Sequence, residues 1–223
     1  MAARSPGPAR SLSPRKLIGD EGVEHLRKAD DKLAQVIDDH GPLDLDSRVR
    51  GRPEDAYGAL LRAIVGQQLS VAAARTIYGR FTDLFGGKTP TPEELLEVDA
   101  DTLRAAGLSR AKANYVRSLA EHIISGELEL DRLDELPDEE VARELIAVKG
   151  LGQWSVDMFL IFHLGRPDVL PVGDLGVRRA VERLYGLEAL PSAAELEALG
   201  ERWRPYRSLA SLYLWESLDN APD

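Results

Sequence analysis

The residues with most chemical potential lie between Leu145 and Arg179, in the stretch LIAVKGLGQWSVDMFLIFHLGRPDVLPVGDLGVRR. In Lys149-Gly150-Leu151-Gly152 two glycines flank one apolar residue, a pattern that permits a tight hairpin with left-handed backbone angles. Leu151 can tuck between the flanking helices and fix their angle. The N–H groups of the hairpin, and of a helix opening at Gln153, then converge outward. Converging backbone donors hold an anion, and here their shape suits a DNA phosphate. An ordinary pair of helices joined by glycine turn residues carries the same Gly-x-Gly, so the hairpin alone assigns no function. Downstream, Pro171-Val172-Gly173-Asp174 leads into a helix bearing Arg178 and Arg179. Asp174 is well suited to cap that helix, and a capping carboxylate can also face a reaction centre.

The elements that must position these residues read as helix after helix, broken by Gly and Pro. Helices are predicted over 22–40, 53–67 (Pro53 in the first turn), 70–85 (Ser70 as cap), 92–98, 100–106, 109–125 (Ser109 as cap), 137–148, 153–164, 174–185, 192–203 and 205–218. Residues 86–92 form a clear break. Residues 165–173 read as an extended connection, with a strand-like stretch at 169–172. The expected fold is all-α: two helical lobes with a cleft between them. Residues 1–20 are expected to form a disordered basic tail and residues 21–223 a single domain made of both lobes.

Composition narrows the possibilities. The chain has 223 residues, 43% of them hydrophobic and 30% charged, as expected of a globular body with a sizeable core. It contains no cysteine, which excludes disulfides, cysteine-type zinc sites and an iron–sulfur cluster. The longest apolar run, Met158 to Leu164, is far shorter than the ~18–20 residues that span a bilayer, so no membrane partner is expected. The first residues are basic and proline-rich without an apolar stretch, which does not fit a secretory signal, and a cytoplasmic location is the default. His25, His40, His122 and His163 lack metal-ligand spacing, and no metal is expected. The net charge of -10 speaks against a nucleic-acid partner at first sight. Sites built from backbone N–H groups bind phosphate without a basic protein, so the charge excludes little.

Taken together, VKGLGQW and the Pro171, Gly173, Asp174 segment resemble the helix-hairpin-helix Gly/Pro/Asp superfamily of DNA glycosylases. The segment Ile64-Val65-Gly66-Gln67-Gln68-Leu69-Ser70 resembles the one from which that superfamily inserts a plug residue into the DNA stack. Trp203-Arg204-Pro205-Tyr206-Arg207-Ser208 and Leu214-Trp215 resemble the C-terminal signature of 3-methyladenine DNA glycosylase II, here in a short form without the extra N-terminal β domain. The likeness covers residues 55–218, and four motifs occur in the family's order.

The resemblance implies that Asp174 stabilises positive charge on the deoxyribose as the N-glycosidic bond breaks, and orients or deprotonates the attacking water. It implies a base pocket from Trp154, Trp215 and Met158, and DNA intercalation by Gln68 with Leu69 beside it. Phosphate contacts are expected from Lys149, Gly150, Leu151, Gly152, Ser155 and Arg178, with Arg75, Arg110, Lys112 and Arg179 as further candidates. Bifunctional members carry a nucleophilic lysine directly after the hairpin, where this chain has Trp154, so a monofunctional enzyme is expected. With cysteine absent, the endonuclease III and adenine-mismatch branches fit poorly. Met158 and Leu175 stand where long bacterial enzymes tend to have aromatic residues, which leaves the lesion spectrum open.

The implied activity is hydrolysis of alkylated purines of the 3-methyladenine type from double-stranded DNA, by a monomer, in base excision repair. In a bacterium it would be associated with the nucleoid. No cofactor is expected, although hairpin carbonyls are compatible with a structural monovalent cation. A helix-hairpin-helix glycosylase for another lesion class and a non-catalytic damaged-DNA-binding module are the alternatives. A pure binder would need the hairpin but would have no use for a carboxylate at Asp174.

Overall fold

Capping residues and glycines cut the chain into short helices, and a computed structural model describes them over residues 19–44 and 52–218. Most of the expected basic tail, residues 1–18, lies outside the described residues. Every regular element among the described residues is helical. The strand-like reading of 169–172 is therefore corrected: residues 169–171 are irregular and a turn begins at Val172. That turn is closed by Asp174 N–H donating to the Pro171 carbonyl (2.8 Å). The described chain divides into two compact units, one holding residues 52–152 and the other the described parts of 13–51 and 153–223.

In the first unit, α3 (Ala56–Gly66) and α4 (Val71–Asp83) pack against each other. The α3 helix and the short α5 (Pro92–Glu97) and α6 (Ala100–Ala105) all pack on α7 (Arg110–Ile124), and α8 (Asp138–Ala147) leads into the hairpin. The predicted first-turn role of Pro53 is not what forms α3. Asp55 is its cap, accepting from Gly58 N–H at 2.7 Å, and Pro53 lies ahead of it. Ser70 and Ser109 cap α4 and α7 as expected, and Thr91 completes a reciprocal capping box with Glu94. Leu60, Leu61, Ile64, Leu95, Leu103, Val116 and Leu119 fill the core of this unit.

The second unit contains α1 (Asp20–Ala29), α2 (Asp31–His40), α9 (Gln153–Phe162), α10 (Leu175–Tyr185), α11 (Ala193–Gly200) and α12 (Arg207–Glu216). The single helix predicted over 22–40 is two helices, broken at Asp30. This residue adopts extended angles (φ -156°, ψ 106°), and its carboxylate accepts from the N–H groups of Lys32 and Leu33. The same carboxylate is buried and accepts from the Tyr185 hydroxyl and from Trp203 Nε1 (2.9 Å), so one side chain ties α2 to α10 and to the 3-10 turn at Glu201–Trp203. The α9 helix is apolar on almost every side, and Ser155 to Phe162 are all buried. A helix buried all round is a core helix. The α10 and α12 helices pack on each other and on α2, bringing Trp215 of α12 to the start of α10.

Candidate active site

Asp174 is 8% exposed and sits at the N-cap of α10. Three N–H donors converge on its carboxylate. Val177 N–H donates to Oδ1 at 2.8 Å, Trp215 Nε1–H to Oδ1 at 2.9 Å, and Trp154 Nε1–H to Oδ2 at 2.7 Å. The capping and site readings of Asp174 are thus met by a single rotamer, with the cap bond fixing the side chain and the indoles aiming it. Charge-assisted bonds of this kind are shorter and stronger than neutral ones.

The two tryptophans differ. Trp215 is 1% exposed and stacks on Phe162 with ring centroids 5.7 Å apart and planes at 24°. Trp154, in the first turn of α9, is half-buried. The sequence suggested their ring faces as functional surfaces; in the structure their N–H groups bind the carboxylate. Gly176, which sequence reasoning missed, makes room for this arrangement. A Cβ there would lie 3.0 Å from Asp174 Oδ1 and 3.1 Å from Trp215 Cδ1. Leu175, the residue after Asp174, exposes 47% of its surface. Met158 is buried in α9.

A second carboxyl was also missed. Asp157 lies one helical turn beyond Trp154 and is 6% exposed. Gln153 Nε2–H donates to its Oδ1 at 2.8 Å. Burial pushes the Asp157 carboxyl up to about 6; the Gln153 bond opposes this and the charge of Asp174 adds to it. A lone acid within the apolar run VDMFLIF was the signal that could have revealed it.

The predicted phosphate and plug residues mostly belong to the first unit. Leu151 is 4% exposed, buried at the turn. Its N–H bonds the Val148 carbonyl at 3.1 Å, closing the turn. Gly150 has φ +98°, and a Cβ there would meet Tyr115 Cγ at 2.1 Å, so both backbone angle and space require glycine. Lys149 and Gly152 are exposed on this turn. Gln68 has φ 58°, the one positive φ outside glycine among the described residues, and is exposed at the sharp turn between α3 and α4, with Leu69 half-buried beside it.

Some expected phosphate contacts are engaged inside the protein. Ser155 is 2% exposed, buried at the start of α9. Arg178 donates its Nε–H to the Pro191 carbonyl at 2.7 Å, and Lys112 donates to the Val65 carbonyl at 2.7 Å. No group of three or more His, Cys, Asp or Glu with metal-binding geometry occurs among the described residues.

Comparison with known proteins places the chain in a family. A putative DNA-3-methyladenine glycosylase of Bacillus subtilis is 34% identical over 205 residues, 88% of this chain and 68% of its own length. DNA-3-methyladenine glycosylase 1 of Schizosaccharomyces pombe is 37% identical over 166 residues, 74% of this chain and 73% of its own. Among solved structures, the Schizosaccharomyces pombe 3-methyladenine DNA glycosylase in complex with abasic DNA superposes with a TM-score of 0.82 at 32% identity, covering 91% of this chain and 98% of that one. A DNA-3-methyladenine glycosidase from Bacillus halodurans gives a TM-score of 0.74 at 39% identity over 88% of each chain. The profile of the HhH-GPD superfamily base excision DNA repair proteins matches residues 61–205, and the chain belongs to that superfamily.

Proposed function

We propose that this protein is a monofunctional DNA glycosylase that hydrolyses the N-glycosidic bond of alkylated purines, 3-methyladenine among them, in double-stranded DNA. The observation that carries the reading is the carboxylate of Asp174, fixed by Val177, Trp154 and Trp215 in a family whose similar members are named for this activity.

The chemistry follows from the acceptor count. A carboxylate offers about four lone-pair sites over its two oxygens. Among the described residues, Asp174 Oδ1 takes two donors and Oδ2 takes one, which leaves one site on Oδ2. As the bond from C1′ to the base nitrogen breaks, its electron pair leaves with the base. An alkylated purine that carried positive charge departs neutral, so it needs little proton donation. The positive charge appears on the sugar, where a fixed carboxylate stabilises it without reorganising. Water then adds its oxygen to C1′ and releases a proton, with the remaining Oδ2 site as its acceptor, and the products are free base and an abasic site. Trp154 has no amine and its N–H is already engaged, so attack on the sugar from this position, and the lyase step that follows it, are absent from the scheme.

The test is release of free methylpurines from methylated duplex DNA by wild type and Asp174→Asn. Asparagine cannot accept on both sides, because its amide would face an indole donor. A loss of about 10²–10³ in rate is expected. No release by wild type would remove the substrate assignment, and equal release by both proteins would remove the role of Asp174.

A further inference from the structure

Within the first unit, the Gln68 turn and the hairpin are bonded together. Gln67 Nε2–H donates to the Gly150 carbonyl at 2.7 Å, joining residues 83 apart in sequence. Helix α7 braces both. Lys112 Nζ donates to the Val65 carbonyl at 2.7 Å, at the last turn of α3, and burial holds its ammonium below the usual lysine range. One turn further along α7, Tyr115 packs so closely on Gly150 that no Cβ would fit there. The neighbouring Gln68 is held in a left-handed conformation that glutamine does not favour, and it persists where the surroundings over-determine the backbone.

From this we infer that Gln67 is a positioning residue: it ties the turn that presents Gln68 to the hairpin that grips phosphate, so that the two meet DNA as one piece. The inference rests on the reading of Gln68 as the side chain that fills the stack and of the hairpin as the phosphate grip. Its physical content is a fixed offset. Once the hairpin has docked on the backbone, the bond and the α7 brace determine where, and how deeply, Gln68 enters. Without the bond the hairpin still docks, since its own turn is closed by Leu151 and Val148. Insertion then carries the entropy of an untethered turn.

The experiment compares wild type, Gln67→Glu and Gln67→Lys on two duplexes, one undamaged and one with a central abasic site. Glutamate keeps the size but loses the donor and sets an acceptor against a carbonyl, whereas lysine restores a donor. Gln67→Glu places a negative charge beside the phosphate grip and weakens both duplexes by a common factor, so the readout is the preference for the abasic over the undamaged duplex. That preference should fall about tenfold below the wild-type value, the loss of one part-buried hydrogen bond. Gln67→Lys should recover most of that loss. The undamaged duplex reports whether each variant is folded and docking-competent. Equal weakening on both duplexes, which leaves the preference unchanged, or none on either, would overturn the inference. If wild type itself does not prefer the abasic duplex, the stack-filling reading fails and the inference falls with it. A wild-type preference that Gln67→Glu retains would overturn the inference alone.

Discussion

Asp157 makes a prediction whose sign and size can be worked out from the structure. Its carboxyl is buried in a core helix, receives one hydrogen bond from the neutral Gln153 amide, and feels the negative charge of Asp174. Its folded value of about 6 lies above the ordinary 3.8. The folded state therefore binds the proton more tightly than the unfolded chain. This stabilisation is complete below the unfolded value and is lost as pH rises through the folded one. The whole window is worth roughly 3 kcal/mol, at about 1.4 kcal/mol per unit. Between pH 7.5 and pH 5, only the upper part of the window is crossed, which corresponds to about 1.4 kcal/mol. Asp157→Asn keeps the shape and the acceptor for Gln153 but does not titrate. Urea unfolding of both proteins at pH 5 and 7.5 measures the difference directly. The variant should gain on wild type by about 1.4 kcal/mol as pH is raised across that interval. A difference between the proteins that stays constant from pH 5 to 7.5 would refute the reasoning, since Asp157 would then not change its charge on folding in this range.

Two further substitutions separate the parts of the carboxylate cluster. Trp154→Phe keeps an aromatic ring but removes the donor to Asp174 Oδ2, and single-turnover methylpurine release should slow by about 10²-fold. If the rate is unchanged, the indole N–H does not orient the carboxylate during the reaction. Gly176→Ala would normally gain about 0.5–1 kcal/mol of helix stability. Here the methyl must push on Asp174 Oδ1 and the Trp215 ring, so excision should fall roughly tenfold. Thermal melting and excision assays on the same preparation check this, and full activity in the alanine variant would contradict the close approach.

How much of this was legible in the sequence depended on the range of the interaction. The caps at Ser70, Ser109 and Asp174 are local, set by a side chain and the N–H groups two or three residues on, and they were readable. The hairpin was readable for the same reason, since Gly150 and Leu151 make their turn within five residues. Asp30 shows where local reasoning fails. The apolar spacing over 22–40 favours one helix, and only the distant Tyr185 and Trp203 explain why a carboxylate interrupts it. The Gln67 bond to Gly150 was invisible because it joins residues 83 apart. Trp154 and Trp215 were singled out for their ring faces, whereas the structure has their N–H groups bonded to Asp174. Nothing in a sequence says whether an indole presents its face or its N–H. Asp157 was passed over because the apolar run around it reads as ordinary core.

The second unit holds two capping carboxylates, and the reactivity proposed for Asp174 requires a difference between them. Asp30 and Asp174 are both helix caps, both nearly fully buried, and both receive an indole N–H. Burial, capping and tryptophan contact therefore do not identify the site. The difference lies in how many acceptor positions are filled. Asp30 takes two backbone donors on Oδ1 and a hydroxyl and an indole on Oδ2, which exhausts the capacity of a carboxylate. It is a structural joint with nothing left to offer a substrate. Among the described residues Asp174 takes one donor fewer, and the oxygen with the single donor is Oδ2, held by the half-buried Trp154 rather than by the buried Trp215. An acceptor with one open position, fixed on three sides, can meet a developing cation or a water without first breaking a bond of its own. A fourth donor supplied to Oδ2 by a neighbouring substitution would convert Asp174 into a second Asp30, with the fold intact and the chemistry lost.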